Sequence, residues 1–210
     1  MVRQQRAERT RTRLLRAAAD EMDELGYCGA SLNRTCESAG VTMGALTFHF
    51  PTKHRLAGAV IDAGMTGIRT AVLGALRPGL PPLGQVRLLL AAVGGLLYRD
   101  SVVRATARLT REVPSSADWT EPWLPPAQQL IDRARSEGEL RPGLDPADLT
   151  LLFAYLCYGA EAQARGRTAG TDTGVAVEAV RQLVDIWDAM LCGPTGPGPS
   201  ADGPRRTAVT

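Results

Sequence analysis

Apolar residues recur every three or four positions through almost all of this 210-residue chain, and no stretch alternates with period two long enough to propose a strand. The expected fold class is therefore all-α, with about nine helices. The first runs from Thr10 to about Leu25, where Leu14, Ala18, Met22 and Leu25 form one stripe and Gly26 supplies the stop. Ser31 caps a short second helix through Leu32, Cys36 and Ala39, which Gly40 ends. Thr42 caps a third that ends at Pro51, and Thr52 caps a long fourth carrying Leu56, Val60, Ile61, Ile68, Val72 and Leu76 up to the Pro78 to Pro82 break. Val86 to Leu97 and Val102 to Leu109 follow, then a looser stretch from Pro114 to Pro126. A seventh helix holds Leu130, Ile131 and Ala134 and stops near Gly138. Asp145, Pro146 and Asp148 mark the start of an eighth that runs to about Arg165, and the last spans Thr173 to Leu191.

The change from short capped helices to long apolar ones sets the expected domains: 1–51 as an N-terminal arm with a three-helix unit, 52–192 as a larger helical domain joined to it by helix four, and 193–210 as a flexible tail rich in Gly and Pro. Twenty-four basic against 22 acidic residues leave a charge of only +2, so local clusters matter more than the total. The cysteines Cys28, Cys36, Cys157 and Cys192 form no C-x-x-C pair, and His49 and His54 lie on different helical faces, so neither a metal site nor a disulfide framework is expected. No nucleophile elbow, H-E-x-x-H, P-loop or dinucleotide fingerprint occurs, so catalysis has no vehicle and no cofactor is expected. With no apolar signal segment and no long apolar run, the expected place is the cytoplasm, with no membrane partner.

Ser31 to Lys53, SLNRTCESAGVTMGALTFHFPTK, is the informative segment. Two short helices joined by Ala39-Gly40-Val41-Thr42, with Gly40 free to turn left-handed, form a helix-turn-helix. Leu46 and Phe50 face inward, which turns Met43, Gly44, Thr47 and His49 outward. The N-terminus of this helix and the Thr42 hydroxyl offer donors to a phosphate, and Lys53 can approach the same backbone. Ahead of it, Arg3, Arg6, Arg9, Arg11, Arg13 and Arg16 stand against the single acid Glu8. Such an arm either lies along phosphates or in a minor groove, or is a solvated disordered terminus.

Thr10 to Val60, with TRTRLLRAAADEMDELGYCGASL and AGVTMGALTFHFPTKHRLAGAVI, resembles the N-terminal domain of TetR-family transcriptional repressors. The resemblance implies a homodimer whose two recognition helices enter the major groove of a near-palindromic double-stranded DNA operator. It places Thr42, His49 and Lys53 at phosphates and Met43 and Gly44 at base edges, with Arg11, Ser31 and Asn33 completing the DNA-binding set. Thr47 stands where the family commonly has a phosphate-binding tyrosine, and Met43 where lysine or a small polar residue is frequent.

The G-A-L-x-F-H-F phrase and the segment from Trp123 through LIDRARSEGELRP are similar to γ-butyrolactone receptor homologues. That similarity implies a small hydrophobic effector beneath Trp123, or beneath Trp119 if the loop alignment slips. Gly64 replaces a glutamine and Tyr158 a small polar residue of those receptors, which points to a different ligand, such as an antibiotic or its intermediate. Met65 and Thr110 complete the expected effector set. Simple core filling is the competing account of both tryptophans and of the apolar residues around them. Family packing implies a dimer interface on the last two helices, through Leu152, Leu156, Val180, Val184 and Trp187, with core packing the rival role for Trp187. The expected function is a repressor released by its effector and controlling secondary metabolism; a multidrug-responsive efflux repressor is the alternative within the fold. An enzyme and a protein-interaction module that has lost DNA binding are the rivals from other classes.

Overall fold

The computed structural model describes residues 2–113, 117–165 and 173–192, and the described residues form helices and no strand. The expected tail, 193–210, lies outside them, as do Pro114 and its two successors in the loop after the sixth helix.

Helix α1 (Val2–Gly29) starts well before Thr10. The arginine-rich arm is thus helical and continuous with α1, which corrects the expected start at Thr10 and sets aside the disordered alternative for the arm; Arg, Gln, Ala and Glu are all good helix formers. Gly26 interrupts α1 with φ 73° and ψ −179°, and one further turn follows the kink. Helix α2 (Leu32–Ala39) is capped by Ser31 and ends at Gly40, which adopts φ 59° and ψ 46°. Val41 N–H there donates to Cys36 O and Gly40 N–H to Glu37 O, each at 3.0 Å, which satisfies carbonyls that the helix end would leave bare. Thr42 Oγ1 accepts from Ala45 N–H at 3.2 Å to start α3 (Met43–His49), and Thr52 Oγ1 accepts from Arg55 N–H at 3.1 Å to start α4 (Lys53–Ala75).

Pro82 opens α5 (Pro82–Arg99), and the Asp100 carboxylate caps α6 (Ser101–Glu112) through Val102 N–H at 2.9 Å. Helix α7 (Leu124–Ser136) begins earlier than expected, because Pro125 and Pro126 lie in its first turn, where a missing N–H leaves no intrahelical bond unmade. Asp145 Oδ1 accepts from Ala147 N–H at 2.9 Å ahead of α8 (Pro146–Arg165), and α9 (Thr173–Cys192) closes the described chain.

Helices α1 and α4 both pack on α6, while α5 is surrounded by α4, α7, α8 and α9. The short α2 and α3 have too few residues to persist alone and are held by α1. One continuous core includes Leu14, Leu46 and Phe50 at the N-terminal end and Leu89, Phe153 and Trp187 at the other. Helix α4 is long and apolar enough by composition to cross a bilayer, with a mean hydropathy of 1.3, but Leu56, Val60, Ile68 and Val72 are buried in this core.

Candidate DNA-reading surface and effector-domain core

Leu46 and Phe50 are buried four residues apart, so α3 is anchored along one stripe and its opposite side faces out. That outer side carries Thr42, Met43, Gly44 and Thr47, all exposed. Thr47 Oγ1 lies 3.1 Å from Met43 O and 3.2 Å from Gly44 O, so its hydrogen is engaged within the helix and its lone pairs remain free. Phe48 is 81% exposed, the largest apolar group on this surface, and touches His49 edge to face at 5.2 Å. Phe48 is absent from the residues expected to read DNA, although it lies 200° around the helix from both Leu46 and Phe50.

The flanking residues divide. The Arg11 guanidinium stacks 5.3 Å from the Phe50 ring centroid. Arg11, His49, His54, Arg55 and Asp62 line an open cleft of about 310 Å³ at the end of α3. Ser31 Oγ is occupied as the α2 cap, accepting from Arg34 N–H at 3.5 Å, while Asn33 is exposed on the first turn of α2. Lys53 Nζ donates to Cys28 O at 3.2 Å and lies 5.0 Å from the Tyr27 ring centroid. Its ammonium is therefore shared between the end of α1 and the outside, with donors left for a second partner.

In the larger domain the two expected tryptophans come together. Trp119 and Trp123 are fully buried with ring centroids 5.0 Å apart, Tyr158 meets Trp119 edge-on at 5.5 Å, and Trp123 continues to Phe153 at 5.8 Å. Neither indole N–H has an acceptor among the described residues, nor does that of Trp187. Each orphaned donor costs about 1–3 kcal/mol relative to a satisfied one. Tyr158 is partly exposed; burial pushes its hydroxyl above the usual range, and Asp118 adds to the shift. Thr110 Oγ1 donates to Ala107 O at 3.2 Å within α6, and Met65 is buried on α4.

Gly64 is a correction. A Cβ there would lie 2.0 Å from Thr106 Oγ1 and 3.0 Å from Val102 O, so position 64 is the seat of α6 on α4 rather than a wall facing an effector. Thr106 fills the notch completely and its hydroxyl lies 3.2 Å from Val60 O. Around the same seam α6 is tied to α1 by polar groups that the sequence does not single out. Arg104 Nε donates to Asp23 Oδ2 at 2.7 Å with both side chains nearly buried. Arg108 Nη1 reaches Asp23 O at 2.9 Å and Glu24 O at 3.0 Å, while Glu112 Oε2 accepts from Tyr27 N–H at 2.6 Å. Burial pushes the Asp23 carboxyl above its ordinary value, with Arg104 pulling it back. For Glu112, burial works upward too, but the hydrogen bonds from Arg108 and the Tyr27 N–H prevail and hold it low.

The expected interface residues also divide. Val184 and Trp187 are buried within the subunit, with Trp187 edge-on to Phe153 at 6.0 Å, so Trp187 serves the subunit's own core and cannot be an exposed anchor. Leu152, Leu156 and Val180 are half-buried. The apolar groups that α8 and α9 leave outside include Leu151, Tyr155 (63% exposed), Val177 (59%), Ile186 and Met190.

Residues 14–60 match the model of bacterial regulatory proteins of the tetR family. The chain carries a TetR-type regulatory domain. Over 149 residues, 70% of this chain, it is 29% identical to the A-factor receptor protein of Streptomyces griseus, and the match spans about half of that protein's length (51%). Among solved structures, a γ-butyrolactone receptor (ArpA-like protein) is similar with TM-score 0.67 and 26% identity, over 86% of this chain and 99% of that one. The TetR-family protein CprB of S. coelicolor A3(2) is similar with TM-score 0.68 and 26% identity, over 90% and 89%. The chain thus carries a TetR-family domain over residues 14–60 and is similar over most of its length to γ-butyrolactone receptors.

Proposed function

We propose that the protein is a cytoplasmic, homodimeric repressor that binds a near-palindromic DNA operator and leaves it when a small hydrophobic effector occupies the larger domain. The observation that carries this reading is α3 itself: Leu46 and Phe50 are locked in the core, and Met43 at its start, Thr47 and Phe48 are all exposed. A rigid helix offering two apolar side chains and a hydroxyl acceptor suits thymine methyls and base-edge donors of a major groove. Thr42, His49, Lys53 and Arg11 surround it as phosphate contacts, with Ser31 and Asn33 at the edge. Two such helices, about 34–36 Å apart in a dimer, would read successive half-sites on one face of the duplex.

Leu151 and Tyr155 of α8, with Ile186 and Met190 of α9, supply the apolar face that a second copy covers. The effector is a γ-butyrolactone-type signal or an antibiotic or its intermediate, and the regulated genes belong to secondary metabolism. Its support is the pair of buried indole donors at Trp119 and Trp123, which a neutral ligand with carbonyl oxygens would satisfy. Such a ligand lowers DNA affinity only as far as it prefers the released conformation. The test is selection of bound fragments from the genome of the source organism, followed by a gel-shift titration of the selected site with fractions of the culture. Recovery of an inverted repeat, released by one fraction that also quenches the tryptophan fluorescence, is the expected result. Recovery of no fragment at any salt concentration would end the reading.

A further inference from the structure

The charges of α1 are laid out against the preference of a helix. No acid stands in its first turn and no base in its last. Its N-terminal half is basic, whereas Asp20, Glu21, Asp23 and Glu24 crowd the C-terminal half. A helix dipole favours the reverse arrangement, so helix stability does not explain this one. The acidic half has internal work to do: Glu21 pairs with Arg34 at 2.7 Å and Asp23 with Arg104 at 2.7 Å. In the basic half, Arg11 rests on the Phe50 ring and not on a carboxylate. Arg6, Arg9, Arg13 and Arg16 are all exposed, and none has a carboxylate partner among the described residues.

At 100° per residue these four arginines fall within an arc of about 80°, with Glu8 on the other side of the helix. The stripe is about 15 Å long at 1.5 Å per residue. It adjoins the reading surface, since Arg13 Nη2 comes within 2.8 Å of where a Cβ of Gly40 would sit, in the turn just before α3. Toward Arg6 the helix runs out with nearly every side chain exposed.

We propose that the arginine stripe of α1 is a second DNA site, a track for the backbone phosphates that flank each half-site beyond the reach of α3. The proposal rests on the DNA-binding reading above. Four unpaired guanidiniums on one straight face, continuous with the helix-turn-helix turn, match a line of phosphates, which offers one charge per about 1.7 Å of duplex axis. They carry no sequence information, so they add affinity and register without changing the preferred bases.

The test uses the full-length protein and its selected operator in two lengths: one trimmed to the span of the two recognition helices, the other extended by about six base pairs at each end, which exceeds the stripe at 3.4 Å per pair. Wild type binds the long duplex more tightly. Arg6→Gln with Arg9→Gln, two exposed side chains without a carboxylate partner among the described residues, removes that advantage and leaves binding of the trimmed duplex and the circular dichroism unchanged. It also lowers the slope of log K against log salt on the long duplex by about 2 per protomer, at roughly 0.9 per phosphate. A double variant with the wild-type slope and the wild-type preference for length overturns the proposal. So does arginine-dependent capture by phosphatidylglycerol vesicles with no effect of flanking DNA. Wild type that binds neither duplex overturns the DNA-binding reading together with it, whereas tight binding of the trimmed duplex alone overturns only this one.

Discussion

Alanine at position 64 should destabilise the protein even though alanine is the better helix former. In an open helical position Gly→Ala gains about 1 kcal/mol. At Gly64 the new methyl would stand 2.0 Å from Thr106 Oγ1 and 2.7 Å from Thr106 Cβ, distances that real Cβ atoms do not tolerate, and 3.0 Å from Val102 O, which is tight. Thr106 is fully buried and its hydroxyl is held between Val60 O at 3.2 Å and Val102 O at 2.8 Å, so it can make room only by leaving its bond across the seam. Overpacking of this kind costs about 1–3 kcal/mol, and the lost hydrogen bond about 1 kcal/mol more. Set against the propensity gain, the net loss for Gly64→Ala is about 1–3 kcal/mol.

Gly67 supplies the internal control, because it lies one turn further along α4 and a Cβ there meets nothing within 4 Å. Gly67→Ala should raise stability by about 0.5–1 kcal/mol. Urea unfolding of the two variants, fitted with a common slope, measures both signs in one experiment. Thr106→Ala in the Gly64→Ala background should recover part of the loss, since it removes the atoms in conflict. Gly64→Ala with wild-type stability or better would refute the account of the α4–α6 seam.

Three further outcomes follow from the same geometry. Arg104→Ala leaves the Asp23 carboxylate buried without its partner and should cost about 3–5 kcal/mol in the same unfolding assay; because burial holds the Asp23 proton more tightly in the folded chain than in the unfolded one, wild type should gain stability relative to Asp23→Asn as the pH falls toward 3.8. Ellman's reagent should label the exposed Cys28 and Cys192 quickly and reach Cys36 and Cys157 only on unfolding, since both are buried and burial pushes both thiols upward. If the proposed dimer forms through this face, Tyr155→Glu with Ile186→Glu should sediment as a monomer at concentrations where wild type sediments as the dimer; a wild-type profile from this variant would place the subunit contact elsewhere.

What the sequence discloses and what it hides separate by range. Thr42, Thr52, Gly40 and Asp145 declare helix ends through groups two to four residues away, and all of these ends stand where the sequence puts them. Phe48 was equally legible, because a residue between two inward anchors four apart has nowhere to point but out. Gly64 was not, since its meaning depends on Thr106, which reaches it only after α5 has crossed the domain. The same holds for Trp187, whose direction is set by Phe153 on another helix, and for Lys53, whose ammonium is claimed by a carbonyl at the end of α1. Periodicity tells that α8 and α9 are apolar on more than one side but not which side the subunit keeps.

The placement of α6 gives these separate contacts a common consequence. It holds α1 through Asp23, through the carbonyls of Asp23 and Glu24, and through the Tyr27 N–H, and it holds α4 through Thr106 in the Gly64 notch. Gly26 lets the two helices come this close, for a Cβ there would fall 2.6 Å from Glu112 Oε2 and 2.7 Å from Arg108 Nη2. Its C-terminal end leads by a short loop to Trp119 and Trp123, and Arg111 near that end pairs with the buried Glu161 of α8 at 3.0 Å. A helix gripped this way cannot shift against α1 without straining short, charge-assisted bonds, nor against α4 without pulling Thr106 out of the Gly64 notch. Any displacement of α6 that starts at the tryptophan loop must therefore carry α1 and α4 together, and with them α3 as a single reading head, instead of bending α4 alone.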